Sequence, residues 1–116
     1  LIGIQAFNCA PLYHAWRQKS TNVMLVQAEP SIAAGIAIPE PVRGRQILEI
    51  IGEVRGMIIA VTDAEIKESW LKMGKMGFCV ESTSAVVVAG LKKYLPYADT
   101  GENLLTAFTG HGLKYF

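Results

Sequence analysis

Three short, mostly apolar runs constrain the fold of this chain more than any other feature. They cover residues 1–6, 57–61 and 103–108, and each has the length of a strand. A strand that is apolar throughout is typical of a parallel sheet with both faces covered, because neither face then meets water. We therefore predict three such strands.

Helical spacing of apolar residues occupies most of the sequence between these runs. Residues 23–30 are ambiguous and could form a short strand or part of a helix. The predicted helices cover residues 10–19, residues 42–55, a segment that begins after Thr62 or Asp63 and ends at Gly74 or Gly77, and residues 85–95.

Polar and small residues at the helix ends support these assignments. The predicted N-caps are Asn8 for the first helix, Thr62 or Asp63 with Glu65 completing a capping box for the third, and Ser82-Thr83-Ser84 for the last. Gly56 is the predicted stop of the second helix.

Strands alternating with helices predict a single α/β domain over residues 1–116, with three layers, a mainly parallel sheet and helices on both faces. The chain begins at Leu1, inside a predicted strand and without an initiator methionine. We therefore expect it to be a fragment of a longer protein.

Composition narrows the function classes. A net charge of +1 and a pI near 8.0 give no basic face, so nucleic acid is not an expected partner. No apolar run approaches the ~18 residues of a membrane helix. Hydrophobic residues make up 51% of the chain, and its mean hydropathy is +0.29. This excess predicts surface that meets another chain, as in a homo-oligomer, or a missing part of the same protein.

The two cysteines, Cys9 and Cys79, show no metal-ligand spacing. No signal peptide precedes them, so we expect two buried, reduced thiols in a cytoplasmic protein. No metal site is expected.

The segment Thr109-Gly110-His111-Gly112-Leu113-Lys114 follows the third apolar run and is the strongest candidate for a ligand turn. Ligands of open α/β sheets bind at the carboxyl ends of strands. One hydroxyl, one imidazole, one ammonium and several bare peptide N–H groups suit hydrogen bonding to a ring or an anion. With no nucleophile paired to it in sequence, His111 is interpreted as a loop histidine, and His14 as a surface or packing residue.

Two further segments are candidates for the same site. Residues 32–38 are small and apolar, so Ala34 and Gly35 could let the backbone approach a flat ligand, or could simply form a tightly packed loop. Glu81 stands before a helix, where the macrodipole stabilises a carboxylate. It is either a helix-end acid or a residue that faces the site.

Four segments together resemble one family, the threonine synthases. They are Ile4-Gln5-Ala6 with Pro11-Leu12, Ala34-Gly35-Ile36-Ala37-Ile38 with Pro41, Val80-Glu81-Ser82-Thr83-Ser84-Ala85, and Thr109-Gly110-His111-Gly112-Leu113-Lys114. The last is the most specific. The resemblance extends over essentially the whole chain but only the C-terminal third or so of the enzyme.

The resemblance implies a pyridoxal-phosphate enzyme of the fold shared with threonine dehydratase and the tryptophan synthase β chain. Threonine synthases are lyases of threonine biosynthesis that convert O-phosphohomoserine and water to threonine and phosphate. By resemblance, Thr109 would place its hydroxyl against the pyridine nitrogen of the cofactor. Ala34 and Gly35 would bring backbone close to the ring or the substrate, and Glu81 would lie near the ring face or the substrate side.

The resemblance also implies what this chain does not carry. The Schiff-base lysine, the asparagine beside the cofactor oxygen and the Gly-rich phosphate cradle belong to earlier segments of the family. Here the helical lysines Lys72, Lys75, Lys92 and Lys93 are expected at the surface. We therefore expect no catalytic residue in this chain, no activity from the chain alone, and the rest of the same enzyme as its partner around an amino-acid substrate.

Two alternatives remain open at this point. One is a fragment of a related enzyme, such as a threonine dehydratase or a cysteate synthase-like protein. The other is a non-catalytic α/β module that binds a small ligand or a partner chain.

Overall fold

Two parallel strands form the centre of the molecule in a computed structural model, which describes residues 1–115. Strand β1 spans Ile2–Ala6 and strand β2 spans Met57–Val61. They pair in parallel with Ile2 opposite Met57 and Ala6 opposite Val61. Two of the three predicted strands are therefore confirmed.

All four predicted helices are present, with ends that shift by less than one turn. Residues 23–30 form neither of the two alternatives, because they have no regular structure. No helix in the described part of the chain is both long and apolar enough to cross a bilayer. The helices are α1 (Pro11–Arg17), α2 (Gly44–Glu53), α3 (Asp63–Lys75) and α4 (Ser82–Tyr94). Short 3-10 turns lie at Phe7–Cys9, Ala34–Ile36, Leu95–Tyr97 and Gly112–Tyr115.

Helices cover both faces of the strand pair, which confirms the three-layer arrangement. On one face α1 and α2 pack against the buried Ile58 of β2. On the other face α3 and α4 pack against Ala6 and Val61, the last residues of the two strands. The apolar runs of β1 and β2 are explained by this double coverage.

The prediction of a third strand at residues 103–108 is wrong. These residues are exposed and have no regular structure. A strand needs a neighbour that accepts its hydrogen bonds, and apolar content alone does not supply one. In the described structure β1 and β2 pair only with each other.

The capping box at the start of α3 is confirmed. The Glu65 N–H donates to the Thr62 hydroxyl over 3.4 Å, and the Thr62 N–H donates to the Glu65 carboxylate over 2.7 Å. Partial burial raises the pKa of Glu65, but hydrogen bonds from Thr62 and Lys93 outweigh it, and the pKa lies below its ordinary value. This cap was predictable because its residues are three positions apart.

Gly77 follows α3 with a φ of 89°, which confirms the predicted end of that helix, whereas the predicted caps of α1 and α4 are corrected by the structure. The N-cap of α1 is Ala10, and Asn8 instead donates from its side-chain amide to the carbonyl of Pro30 over 2.5 Å. Ser82, Thr83 and Ser84 lie inside the first turn of α4, whose N-cap is Glu81.

Gly56 does not provide the left-handed residue after α2, because Arg55 adopts that conformation with a φ of 50°. Gly56 is needed for a different reason. A Cβ at this position would overlap the carbonyl oxygen of Leu1. That same oxygen accepts a hydrogen bond from the Met57 N–H over 3.2 Å. The missing side chain thus lets β1 and β2 begin their pairing.

Replacing Gly56 with alanine should therefore destabilise the protein, by about 1–3 kcal/mol as for other overpacked sites. Gly52→Ala is the matched control, because a Cβ at Gly52 meets nothing within 4 Å and Gly52 lies in α2. It should stabilise the protein by about 0.4–1 kcal/mol. Urea unfolding of both variants measures the two free energies. Equal effects of the two variants would contradict the close approach.

Candidate functional site

The first turn of α4, Ser82-Thr83-Ser84, is the point where the segments singled out in the sequence meet. Ser82 and Ser84 are both buried, and Thr83 is half-buried. One segment, residues 29–36, reaches this turn from the ends of the strands. The other, residues 109–112, reaches it from the far end of the chain.

Residues 29–33 cross the carboxyl ends of both strands. At the end of β1, the Glu29 N–H donates to the Asn8 carbonyl over 2.9 Å. At the end of β2, the Asp63 carboxylate accepts hydrogen bonds from the Ser31 hydroxyl over 2.7 Å and from the Ile32 N–H over 3.0 Å. The segment therefore lies at the edge of the sheet where ligands of α/β proteins bind.

The first turn of α4 holds this segment directly. The Ser82 hydroxyl donates to the Ile32 carbonyl over 2.5 Å. Gly35 stands against Thr83, and a Cβ on Gly35 would lie 3.2 Å from the Thr83 hydroxyl oxygen. Ala34 and Gly35 are themselves exposed. They present a surface with little side-chain bulk beside the carboxyl ends of the strands.

Gly110 is bound to the same turn of α4. Its N–H donates to the Ser84 hydroxyl oxygen over 2.9 Å. Its carbonyl accepts from the Glu81 N–H over 3.2 Å and from the Ser84 hydroxyl over 3.3 Å. Thr109, the preceding residue, is exposed, and its hydroxyl makes no hydrogen bond to another residue of the described chain.

A short antiparallel pairing extends this attachment. Val80 bridges His111, and the Gly112 N–H donates to the Cys79 carbonyl over 2.9 Å. Residues 79–81 and 110–112 thus run side by side. The backbone of residues 110–112 is held by hydrogen bonds, and the exposed Thr109 hydroxyl lies directly before them.

Glu81 contacts the turn from the helix side. Its side chain is only 13% exposed, and its carboxylate oxygen lies 3.3 Å from the ammonium of Lys114. A Cβ on Gly110 would overlap the Glu81 carboxylate, so the acid lies directly against the turn. Glu81 is therefore a helix-end acid, and its carboxylate also lies against the candidate turn.

The structure brings the four predicted site residues to one helix turn from two sides. Ala34 and Gly35 lie on the side of Ser82 and Thr83, whereas Glu81 and Thr109 lie on the side of Ser84 and Gly110. Sequence reasoning missed the roles of Ser82 and Ser84, which it treated as caps. Their partners are 50 and 26 residues away, so no local pattern could have shown them.

The remaining candidates lie elsewhere or are engaged locally. His111 is exposed, and its Nδ1 accepts from the Leu113 N–H over 3.2 Å, so it is the predicted loop histidine. His14 is exposed on α1 with its ring edge-on to Phe7 and Tyr13, as expected for a packing residue at the surface.

Of the four helical lysines, Lys72 and Lys75 are exposed, as predicted, whereas Lys92 and Lys93 are half-buried. Lys92 pairs with Glu68 at 2.7 Å, and Lys93 pairs with Glu65 at 3.0 Å.

The prediction of two buried, free thiols is confirmed for Cys9, whereas Cys79 is free but not buried. Both thiols are free, and burial raises the pKa of Cys9, which keeps it protonated. Cys79 is exposed, not buried, because the loop after α3 leaves it at the surface. The described residues contain no cluster of ligands that could hold a metal ion.

Two concave regions of the surface lie away from the four predicted residues. One, of about 670 Å³, lies beside the start of α2 and includes Asn22 and Arg45. The other, of about 460 Å³, lies between α4 and residues 102–107. Neither region is lined by Ala34, Gly35, Glu81 or Thr109.

Three buried serines allow a matched test of the contacts at α4. Ser82→Ala and Ser84→Ala should each cost about 1–3 kcal/mol, because each leaves backbone groups without a partner. Ser69 on α3 is fully buried, and its hydroxyl has no partner in the described structure. Ser69→Ala should be neutral or stabilising. Urea unfolding measures all three, and equal losses would contradict the hydrogen-bond assignment.

Comparison with known proteins places these features in one family. Residues 1–110 match the family described as pyridoxal-phosphate dependent enzyme. The chain is 38% identical over 117 residues to the threonine synthase of Methanocaldococcus jannaschii, covering 98% of this chain and 29% of that protein. It is 32% identical to the threonine synthase of Methanosarcina acetivorans over 98% of this chain and 29% of that protein. It is 30% identical to the threonine synthase of Mycobacterium leprae, over 98% of this chain and 30% of that protein.

The chain thus spans less than a third of the length of the curated relatives it matches. The structure also resembles that of a threonine deaminase from T.th., with a TM-score of 0.65 and 15% sequence identity, over 91% of this chain and 41% of that chain. This likeness concerns the fold alone. Because the family match extends over residues 1–110, the chain belongs to the pyridoxal-phosphate dependent enzymes, and this membership implies pyridoxal phosphate as its cofactor.

Proposed function

We propose that this chain is one α/β domain from the C-terminal part of a threonine synthase and forms the pyridine-nitrogen side of its cofactor site. The reaction of the whole enzyme would be the conversion of O-phosphohomoserine and water to threonine and phosphate. The observation that carries the proposal is the exposed Thr109 hydroxyl, on a turn bound at the carboxyl edge of a parallel sheet. Similarity to three threonine synthases supports the choice of reaction.

The residues present fit one side of this cofactor. A flat ring with one basic nitrogen needs a hydrogen-bond donor in its plane and a wall with little bulk. Thr109 offers a free hydroxyl, and Ala34 with Gly35 offers an exposed surface of small residues. We assign Thr109 to the ring nitrogen, Ala34 and Gly35 to the ring or the substrate, and Glu81 to the neighbouring side of the ring.

The chemistry that Thr109 would control is electronic. When bound, pyridoxal phosphate supplies an electron sink for the bonds of an amino-acid substrate. A threonine hydroxyl is neutral and donates a hydrogen bond to the nitrogen without giving up its proton. A carboxylate at the same place would favour the protonated nitrogen. Thr109 therefore limits how strongly the ring withdraws electrons.

The remaining functions of the site belong to other polypeptide. Lys72 and Lys75 are exposed on α3, and Lys92 and Lys93 are paired with glutamates. We infer that the reactive lysine and the phosphate cradle are supplied by the rest of the enzyme, a cytoplasmic lyase of amino-acid biosynthesis. Exposed apolar side chains such as Leu25, Val42 and Leu105 support contact with that polypeptide and with a second copy.

The chain alone should form no specific lysine adduct. We expect that incubation with pyridoxal phosphate, borohydride reduction and peptide mass spectrometry will give only low, scattered labelling of exposed lysines. The intact enzyme under the same conditions is the positive control, with one lysine labelled stoichiometrically. Stoichiometric labelling of a single lysine in the isolated chain would contradict the division of roles.

Changing Thr109 in the intact enzyme tests the assigned role. Thr109→Ser keeps the donor and should retain most activity, whereas Thr109→Val should lower kcat by about 10- to 100-fold, which corresponds to the ~1–3 kcal/mol of a buried group left without its hydrogen bond. Thr106→Val is the matched control, because Thr106 is also exposed and lies three residues earlier. Phosphate release from O-phosphohomoserine measures the rate.

The same assay distinguishes the related reactions. Activity on O-phosphohomoserine with none on threonine supports the synthase. Rapid deamination of threonine without phosphate release from O-phosphohomoserine would favour a dehydratase instead.

A further inference from the structure

The first turn of α4 lies between the two parts of the candidate site. Residues two positions apart on a helix point about 200° apart around its axis. Ser82 and Ser84 have this relation, and their hydroxyls bind opposite partners. Ser82 binds the carbonyl of Ile32, which leads to Ala34 and Gly35, whereas Ser84 binds Gly110, which follows Thr109.

The contact between Ser84 and Gly110 is unusual because one hydroxyl serves both polar groups of a single residue. The Ser84 oxygen accepts the Gly110 N–H over 2.9 Å and donates its own proton to the Gly110 carbonyl over 3.3 Å. Ser84 is only 1% exposed, so water does not compete effectively for these bonds. The Glu81 N–H adds a second donor to the same carbonyl.

This contact constrains Thr109 through the peptide group that the two residues share. The Gly110 N–H belongs to the same planar peptide group as the Thr109 carbonyl. Holding that N–H on Ser84 therefore holds the plane of the peptide that leaves Thr109 and the position of the Thr109 Cα, so that ψ and χ1 are the torsions left to orient the hydroxyl.

Ser84 is the side chain that holds the Gly110 N–H, while residues 79–81 hold the following residues of the turn through their backbone. Residues 103–108, before Thr109, are exposed and have no regular structure. On the other side, a Cβ at Gly110 would overlap the Glu81 carboxylate, so the turn lies directly on the helix. Thr109 is thus held on its C-terminal side by hydrogen bonds to Gly110, and on its N-terminal side by the contact of the Phe108 ring with Phe78, whose centroids are 6.1 Å apart.

We propose that Ser84 is a positioning residue that directs the Thr109 hydroxyl toward the ring nitrogen of the cofactor. The proposal rests on the proposed function of Thr109 and adds a residue that does not touch the cofactor itself. It predicts that the effect of Ser84 on the cofactor passes entirely through Thr109.

A double-mutant cycle in the intact, cofactor-loaded enzyme tests this. Thr109→Ala, Ser84→Ala and the double variant are compared by the pH dependence of the absorption and fluorescence of bound pyridoxal phosphate and by its dissociation constant. Ser84→Ala should shift the spectra in the same direction as Thr109→Ala and raise the dissociation constant about three- to tenfold. In the Thr109→Ala background the same change should alter the constant by less than about twofold.

Two further variants separate positioning from loss of structure. Ser69→Ala removes a fully buried hydroxyl on α3 and should leave the spectra unchanged. Ser84→Cys keeps a weak donor and acceptor in a slightly larger side chain, so it should give an intermediate spectrum even where Ser84→Ala folds poorly. Hydrogen exchange of a peptide that contains Gly110 should become faster in Ser84→Ala and stay unchanged in Ser69→Ala.

The outcomes distinguish the two levels of the argument. Unchanged spectra in both Ser84 variants, or effects of Ser84→Ala that add fully to those of Thr109→Ala, would overturn the positioning role and leave the role of Thr109 intact. Unchanged spectra in Thr109→Ala itself would overturn both.

Discussion

The irregular segment at the carboxyl edge of the sheet depends on side chains that replace the hydrogen bonds a strand or helix would provide. Backbone N–H and C=O groups near a core must be paired, and a segment without regular structure cannot pair its own. Asn8, Asp63 and Ser82 supply the partners for residues 29–32. Asn8 lies just beyond β1, Asp63 lies just beyond β2, and Ser82 lies in the first turn of α4. The site is therefore held by the same elements that build the core.

The division between what was predictable and what was not follows from distance along the chain. The strands β1 and β2 and the four helices follow from local apolar spacing, and the Thr62–Glu65 box follows from a three-residue interval. Asn8 and Ser84 belong to the same residue types that cap helices, yet their side chains bind backbone groups 22 and 26 residues away. Composition identifies such residues as hydrogen-bonding groups, but only the tertiary structure selects the partner.

The third apolar run shows that composition also does not identify which surface buries an apolar segment. Residues 103–108 have the composition of a buried strand and lie exposed. Apolar content measures the free energy available from burial, about 25 cal/mol per Å² of apolar surface, and not the identity of the surface that buries it. The four candidate site residues were indicated by local chemistry, namely a hydroxyl, small residues and a helix-end acid. Their common position around one helix turn required the fold.

The charges around Thr109 are consistent with a neutral donor. Glu81 lies against Gly110, and a free carboxylate there would draw positive charge toward the ring nitrogen. Lys114 approaches this carboxylate to 3.3 Å, and the Glu81 side chain is only 13% exposed, so the attraction is screened less than at the open surface. The two charges offset each other beside the turn. On the proposed function, the pairing with Lys114 would limit how far the Glu81 carboxylate favours protonation of the cofactor's ring nitrogen.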